Sequence, residues 1–192
     1  SMRVCGECLE GRKDFVRIGE DGDGGYVMCE SALKTASQGF SIGINGKDSW
    51  GSHLSVDYHM HVGQYDCTTH QTDFAKSGKK ISGKKQPRVP KCERNSFDRE
   101  HYEGKCNTTF FPLCVKANAP ELLPGFSDPE KFVSVGEMIE KASQSGDSDM
   151  LLKIDAEGGE WHVFGDIEES VLKRFRMLAV EFHHFGAERW RC

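Results

Sequence analysis

The chain has 192 residues, a length that suits one large domain better than two. Apolar residues make up 37% of it and charged residues 29%, and no apolar run approaches the roughly 20 residues that a membrane-spanning helix needs. These figures exclude a membrane-spanning segment and a wholly disordered chain, and the net charge of -5 argues against a surface devoted to nucleic acid. We expect residues 1–192 to form a single domain.

The first elements predicted along the chain are two short strands. Residues 14–18 and 25–29 are rich in apolar side chains, and the Gly-Glu-Asp-Gly-Asp-Gly stretch between them, residues 19–24, suits a tight turn. The turn resembles a calcium loop in composition, but it lacks the ligand spacing and the closing glutamate of an EF-hand. We therefore predict a hairpin over residues 12–30.

A strand, a glycine turn and a helix are predicted next. Residues 40–44 form an apolar run, Asn45-Gly46 is a turn pair, and the larger side chains between Trp50 and His61 recur at near-helical spacing. A second strand is predicted at residues 62–65, directly before Asp66.

The composition changes after Asp66. Residues 76–94 carry eight basic residues against one acid, with glycine, serine and proline between them. We interpret residues 67–107 as a basic insertion without a core of its own. The basic charges either attract an anionic substrate toward a binding site or keep a solvated loop soluble, and composition favours the second interpretation.

Regular patterning returns after the insertion. Apolar runs predict strands at residues 110–115, 150–155 and 177–182. Ser134-Val-Gly-Glu137 has the form of a capping box, and the helical periodicity that accompanies it predicts a helix that ends near residue 146. Similar periodicity predicts a helix over residues 167–175. Strands that are apolar throughout and alternate with helices indicate a parallel sheet covered on both faces. The predicted fold class is α/β, with a doubly wound, mostly parallel sheet.

Eight cysteines are spread along the chain, an even number that is high for a reducing compartment. They are Cys5, Cys8, Cys29, Cys67, Cys92, Cys106, Cys114 and Cys192. We expect disulfides, with Cys92 and Cys106 pinning part of the insertion, and no metal, because Cys5-x-x-Cys8 has no partner pair at zinc-finger spacing. Asn107-Thr108-Thr109 is a glycosylation sequon, so a glycoprotein of the secretory pathway or the extracellular space is slightly favoured over a cytoplasmic protein.

Candidate site residues follow the predicted strands, because ligands of doubly wound sheets bind outside the carboxyl ends of the strands. Gly43 and Gly46 let a ligand approach the backbone, and Asp66 stands where an acid commonly accepts the hydroxyls of a ribose. Asp155 follows the fourth strand, and His183 follows the fifth. A third glycine of the dinucleotide fingerprint is missing, and acids suit a cationic ligand better than a pyrophosphate, so S-adenosylmethionine fits better than NAD.

Five segments resemble the methyltransferase-like family related to FkbM-type O-methyltransferases. They are Asp-Gly-Gly-Tyr-Val at residues 23–27, Phe-Ser-Ile-Gly-Ile-Asn-Gly at 40–46, Tyr65-Asp66, Leu-Lys-Ile-Asp-Ala-Glu-Gly-Gly-Glu-Trp at 152–161 and Leu-Ala-Val-Glu-Phe-His at 178–183. They occur in the family's order over residues 14–186. The most specific segment is residues 153–161, which is similar to the family's Lys-Ile-Asp-x-Glu-Gly-x-Glu block.

The resemblance implies a class I, Rossmann-like fold and an S-adenosylmethionine-dependent methyltransferase. It implies that Gly43, Asn45 and Gly46 lie near the methionine end of the cofactor, that Asp66 binds its ribose, and that Asp155 lies at the mouth of the site. Ser41 stands where many class I enzymes have an acid. The chain ends about ten residues after the fifth strand, so the last strands of the usual fold are expected to be absent, or the hairpin to fill that edge.

Methyl transfer to a hydroxyl requires alignment of the reacting atoms and a base within reach. We expect Asp155, Glu157 and His183 to be the catalytic residues, with His183 favoured as base by its ordinary pKa range. Other interpretations remain open. His183 and His184 straddle a strand end, one packed and one solvated, and Glu157 and Glu160 are helix N-terminal acids that complement the helix dipole.

Three functions remain. The first is O-methylation of a sugar hydroxyl or of another small or polymer-linked acceptor. The second is a methyltransferase-like module that binds a cofactor or a partner without catalysis, and the third is a nicotinamide-dependent oxidoreductase. The sequence predicts no oligomeric state.

Overall fold

The computed structural model describes residues 14–67, 89–95, 99–116, 132–142 and 148–184. In chain order its elements are β1 (Phe15–Ile18), β2 (Tyr26–Cys29), α1 (Glu30–Thr35), β3 (Gly39–Ile42), α2 (Ser49–Asp57), β4 (Val62–Tyr65), α3 (Arg99–Tyr102), β5 (Thr108–Phe111), β6 (Cys114–Lys116), β7 (Phe132–Ser134), α4 (Val135–Ala142), β8 (Met150–Ile154), α5 (Glu160–Asp166), α6 (Glu169–Leu172) and β9 (Phe175–Val180). Cys5, Cys8, Cys192 and most of the basic insertion lie outside the described residues. None of the described helices is long and apolar enough to cross a membrane.

Five strands form one parallel sheet in the order β5-β4-β3-β8-β9. By chain order these are the third, second, first, fourth and fifth strands of the sheet, which is the arrangement of a doubly wound fold. The direction of winding reverses between β3 and β8, so the switch point lies at the carboxyl ends of these two neighbours. The predicted fold class is confirmed.

The two faces of the sheet are covered by different helices. On one face Leu151 of β8 packs with Trp50 and Leu54 of α2. On the other face Leu152 and Ile154 pack in a second cluster, with Met138 and Ile139 of α4 and Val163 of α5. Consecutive side chains of a strand point to opposite faces, so a continuous apolar run such as β8 is what burial on both faces requires.

The N-terminal hairpin is confirmed. β1 and β2 pair antiparallel, with Phe15 opposite Cys29 and Ile18 opposite Tyr26. The side chain of Arg17 donates hydrogen bonds to the carbonyls of Glu20 and Gly22 in the turn. Ile18 and Met28 belong to the same cluster as α2, so the hairpin packs on the α2 face of the sheet.

Both long helices begin at side-chain caps. The Asp48 carboxylate accepts a hydrogen bond from the Gly51 N–H at 2.8 Å and another from the Gln64 amide at 2.8 Å, which joins the start of α2 to β4. Ser134 and Glu137 exchange hydrogen bonds with each other's backbone N–H. This is the capping box predicted from sequence.

Two boundaries differ from the prediction. The single strand expected at residues 110–115 is two strands: β5 joins the main sheet, whereas β6 pairs with β7 in a separate two-stranded sheet. Pro112 lies between them and has no N–H to donate, so a ladder cannot continue through it. The helix expected over residues 167–175 is present as α6 but is shorter, because it ends at Leu172 and Phe175 already pairs with Met150 as the first residue of β9.

The expectation of disulfides is confirmed. Cys67 is bonded to Cys114, and Cys92 is bonded to Cys106. Cys29 is also disulfide-bonded. The Cys92–Cys106 bond joins two described parts of the insertion, residues 89–95 and 99–107. Residues 89–95 also contact α2 through a hydrogen bond from the Glu93 N–H to the Ser52 hydroxyl.

Candidate active site

The carboxyl ends of the strands bring three predicted site residues, together with Glu181, to one edge of the sheet. Gly43 follows β3, Asp66 follows β4, Asp155 follows β8 and Glu181 follows β9. Backbone hydrogen bonds continue the ladder across these positions: the Asp155 N–H donates to the Ile42 carbonyl at 3.0 Å, and the Glu181 N–H donates to the Ile154 carbonyl at 2.9 Å. The edge therefore places these four residues on neighbouring strands around the switch point.

The glycine turn after β3 is tightly bent against β8. Gly43, Asn45 and Gly46 have φ angles of 74, 44 and 75°, which glycine adopts freely and asparagine tolerates better than most residues. A Cβ atom on Gly43 would overlap the carbonyl oxygen of Asp155. Glycine is required at this position because the two strand ends approach each other so closely.

Asp66 holds this turn from the side of β4. Its carboxylate is almost fully buried, and Oδ2 accepts hydrogen bonds from the N–H groups of Ile44 at 3.0 Å and Asn45 at 2.5 Å. The sequence predicts that Asp66 binds a ligand, and it gives no sign of this contact with the turn. One oxygen of the carboxylate thus shapes the glycine turn.

Asp155 is contacted by two donors that the sequence did not predict for the site. The Tyr26 hydroxyl, which comes from the hairpin, donates to Asp155 Oδ2 at 3.2 Å. The ammonium of Lys153 lies 3.5 Å from the same oxygen and donates to the Gly43 carbonyl at 2.8 Å. Burial raises the pKa of Tyr26, and the charges of Asp155 and Glu181 raise it further, so the hydroxyl stays protonated and serves as a donor.

Glu160 closes the loop between β8 and α5. Its side chain is fully buried, and it accepts hydrogen bonds from the N–H groups of Ala156 at 2.5 Å and Gly158 at 2.9 Å. The same carboxylate contacts Nδ1 of His183 at 3.3 Å. Glu160 is the first residue of α5, as its interpretation as a helix N-terminal acid requires, but its main contacts are with the loop and the histidine.

The structure brings the three predicted catalytic residues together. Nε2 of His183 lies 3.8 Å from Asp155 Oδ1, 3.8 Å from Glu157 Oε2 and 3.4 Å from Glu181 Oε1. His184 is exposed and has a φ of 62°, so one histidine is half-buried and the other faces solvent. Glu157 also has a positive φ, 52°, and its side chain is more than half exposed.

The local electrostatics favour positive charge in this cluster. Burial lowers the pKa of His183, but the hydrogen bond and charge of Glu160, with the charges of Glu157 and Asp155, outweigh this and leave the pKa raised. Burial and the nearby Asp155 raise the pKa of Glu181. The carboxylates at this end of the sheet contribute to both pKa shifts.

Ser41 occupies the middle of β3, between Gln64 of β4 and Lys153 of β8 in the register of the sheet. Its hydroxyl is buried and has no hydrogen-bond partner among the described residues. A buried polar atom without a partner is uncommon and calls for an explanation.

Comparison with known proteins identifies the C-terminal part of the chain. No curated protein and no solved structure matches the chain. Residues 132–191 match the family model of the methyltransferase FkbM domain. The matched segment runs from β7 past β9 and contains Asp155, Glu157, Glu160 and His183, whereas the glycine turn and Asp66 precede it. Residues 132–191 are thus similar to the FkbM methyltransferase domain, and this similarity supports a methyltransferase.

Proposed function

We propose that the protein is an S-adenosylmethionine-dependent O-methyltransferase whose acceptor is a hydroxyl of a sugar or of another small or polymer-linked molecule. The observation that carries the proposal is the meeting of the glycine turn with Asp155 at the switch point of the sheet, where doubly wound folds bind their ligands. We further propose that residues 1–192 form one such domain. The relationship to FkbM methyltransferases supports the transfer of a methyl group.

The residues of this edge fit the cofactor. The turn at Gly43, Asn45 and Gly46 offers backbone without bulky side chains, and Asp66 lies beside it as a buried carboxylate. The Ser41 hydroxyl, which is buried and has no partner among the described residues, lies in β3 two residues before this turn. We propose that the turn binds the methionine end and that Asp66 binds the ribose. Bound there, S-adenosylmethionine supplies an electrophilic methyl group on a cationic sulfur.

The chain's own residues provide the remaining chemistry. Asp155 is fixed by Tyr26 and Lys153, so it can orient an acceptor hydroxyl and balance positive charge at the mouth of the site. His183 is held at Nδ1 by Glu160, which directs Nε2 toward Asp155 and Glu157. We propose that the proton of the acceptor hydroxyl passes to this cluster and that Nε2 of His183 is the base.

A calorimetric titration with S-adenosylhomocysteine and with NADH tests the proposal. We expect the first ligand to bind and the second not to bind. Asp66→Asn keeps the shape of the side chain and removes its charge, so binding of S-adenosylhomocysteine should weaken by about 1.5–3 kcal/mol. Asp149→Asn removes a charge from a largely exposed aspartate and is the control. Binding of NADH alone would support an oxidoreductase, and binding of neither ligand would support a module without catalysis.

We also propose that the protein matures in an oxidising compartment, secretory or extracellular, and carries a glycan. The disulfides support the first point. For the second, Asn107 of the sequon is exposed directly before β5, so a glycan there would project into solvent.

A further inference from the structure

The cluster around His183 has the organisation of a metal site. Asp155, Glu157 and His183 each offer one ligand atom, and these three atoms all lie within 4.8 Å of one another. Ligands about 2.0–2.3 Å from one cation lie roughly 3–4.6 Å apart, so a single ion can contact all three. We propose that Asp155, Glu157 and His183 bind a divalent metal cation. The sequence led us to expect no metal, because Cys5-x-x-Cys8 lacks a partner pair, and the three ligands proposed here come from two other segments of the chain.

The orientation of the imidazole is the first argument. Metal-binding histidines usually give the other ring nitrogen to a carboxylate or a carbonyl, which fixes the ring. In His183 that nitrogen is Nδ1, and its partner Glu160 is fully buried and held by two backbone N–H groups. The indole of Trp161 donates to the His183 carbonyl at 2.7 Å and fixes the backbone as well. Nε2 is therefore presented to the cluster by a rigid support.

The distances at Nε2 are the second argument. Three carboxylate oxygens surround it at 3.4 to 3.8 Å, which are ion-pair distances, and among the described residues none of them forms a hydrogen bond with Nε2. A protonated imidazole that only neutralised the acids would be expected to form a hydrogen bond with one of them. Separations of this size are those of neighbouring ligands around one cation.

The charge balance is the third argument. Asp23, Asp155 and Glu181 form a second group whose oxygens lie within 4.8 Å of one another, and it shares Asp155 with the first. Together the two groups contain four carboxylates, and Lys153 contributes one positive charge through its contact with Asp155. The four are Asp23, Asp155, Glu157 and Glu181. A divalent cation at the shared edge would reduce this repulsion.

The donor set indicates the class of metal. One imidazole with carboxylates suits a first-row divalent ion with oxygen preference, such as Mn²⁺. Binding of the ion does not depend on the proposed function, but a catalytic role for the bound ion rests on that function. Beside Asp155, a cation would lower the pKa of an acceptor hydroxyl, and His183 would then serve as a ligand while a carboxylate of the cluster takes the proton.

Calorimetry of the disulfide-bonded full chain with MnCl₂ alone tests the site. We expect one Mn²⁺ per chain and an affinity reduced about tenfold or more in Glu157→Gln. Glu157 is more than half exposed, so this exchange should leave the fold intact. Glu169→Gln removes the same charge from an exposed acid of α6 and should bind Mn²⁺ like the parent.

Separate outcomes distinguish the two proposals. Absence of Mn²⁺ binding at millimolar concentration, or equal losses in Glu157→Gln and Glu169→Gln, overturns the metal site and leaves His183 as the base. If Mn²⁺ binds but S-adenosylhomocysteine does not, the metal site stands and the proposed methyltransferase function fails. Electron paramagnetic resonance of bound Mn²⁺ gives a second readout. The signal of a coordinated nitrogen should be present in the parent protein and absent in His183→Gln.

Discussion

Replacing Gly43 by alanine tests how closely the two central strands must approach at the site. The residue has a φ of 74°, and an added Cβ would overlap the Asp155 carbonyl oxygen. The backbone of Asp155 cannot simply move away, because its N–H is bonded to the Ile42 carbonyl. Alanine can therefore be accommodated only if the ends of β3 and β8 separate.

Gly104→Ala is the matched control. Its φ is 72°, and a Cβ there would meet nothing within 4 Å. Both exchanges carry the cost of a positive φ, about 1–2 kcal/mol, and both gain about 0.4–1 kcal/mol from a less flexible unfolded chain. Only Gly43→Ala adds a steric term, about 1–3 kcal/mol or more.

We expect Gly104→Ala to lose about 1 kcal/mol in the free energy of unfolding and Gly43→Ala about 2–5 kcal/mol. Urea unfolding followed by circular dichroism measures both losses. Gly43→Ala should also weaken binding of S-adenosylhomocysteine, whereas Gly104→Ala should not. Equal losses of stability would refute the reasoning, because they would show that the φ angle alone determines the cost.

Two further predictions concern buried polar groups. Glu160→Gln should lower the free energy of unfolding by about 2–4 kcal/mol, because the single amide oxygen cannot accept from both loop N–H groups, whereas exposed Glu169→Gln should change it by less than about 0.5 kcal/mol; urea unfolding measures both. Burial raises the pKa of Tyr26 and Tyr65 above the ordinary 10.0, so the folded state binds these protons more tightly than the unfolded chain. Their contribution to the free energy of unfolding should therefore be fully present below pH 10.0 and decrease above it. The prediction is contradicted if the absorbance of every tyrosine changes to that of phenolate while the near-ultraviolet circular dichroism stays that of the folded protein.

The sequence predicted those features that depend on local pattern. The hairpin followed from its turn residues, α4 from the pairing of Ser134 with Glu137, and β8 from a run that must be apolar on both faces. Asp155 could be placed at the end of β8 for the same reason. These signals are readable because each involves neighbours along the chain.

The contacts that shape the site were not predictable in this way. The Tyr26 hydroxyl donates a hydrogen bond to Asp155, which lies 129 positions later in the chain. The hydrogen bond that Asp66 accepts from the glycine turn depends on the register of two parallel strands. Glu160 looked like an ordinary acid at a helix start, and only burial shows that it supports His183. Long-range pairings leave no periodic pattern in the residues that make them.

The Cys67–Cys114 bond has a consequence for how the chain finds its topology. Ile42 pairs with Ile154, 112 positions later, and the central strands cannot join until that long loop closes. The disulfide lies inside this loop and spans 47 positions, so the path between the strands shortens from 112 to 65. Loop-closure entropy varies with the logarithm of length, so this shortening lowers the cost of joining β3 to β8 by about 0.5 kcal/mol. Oxidation early in folding would thus make the two halves of the sheet meet more often.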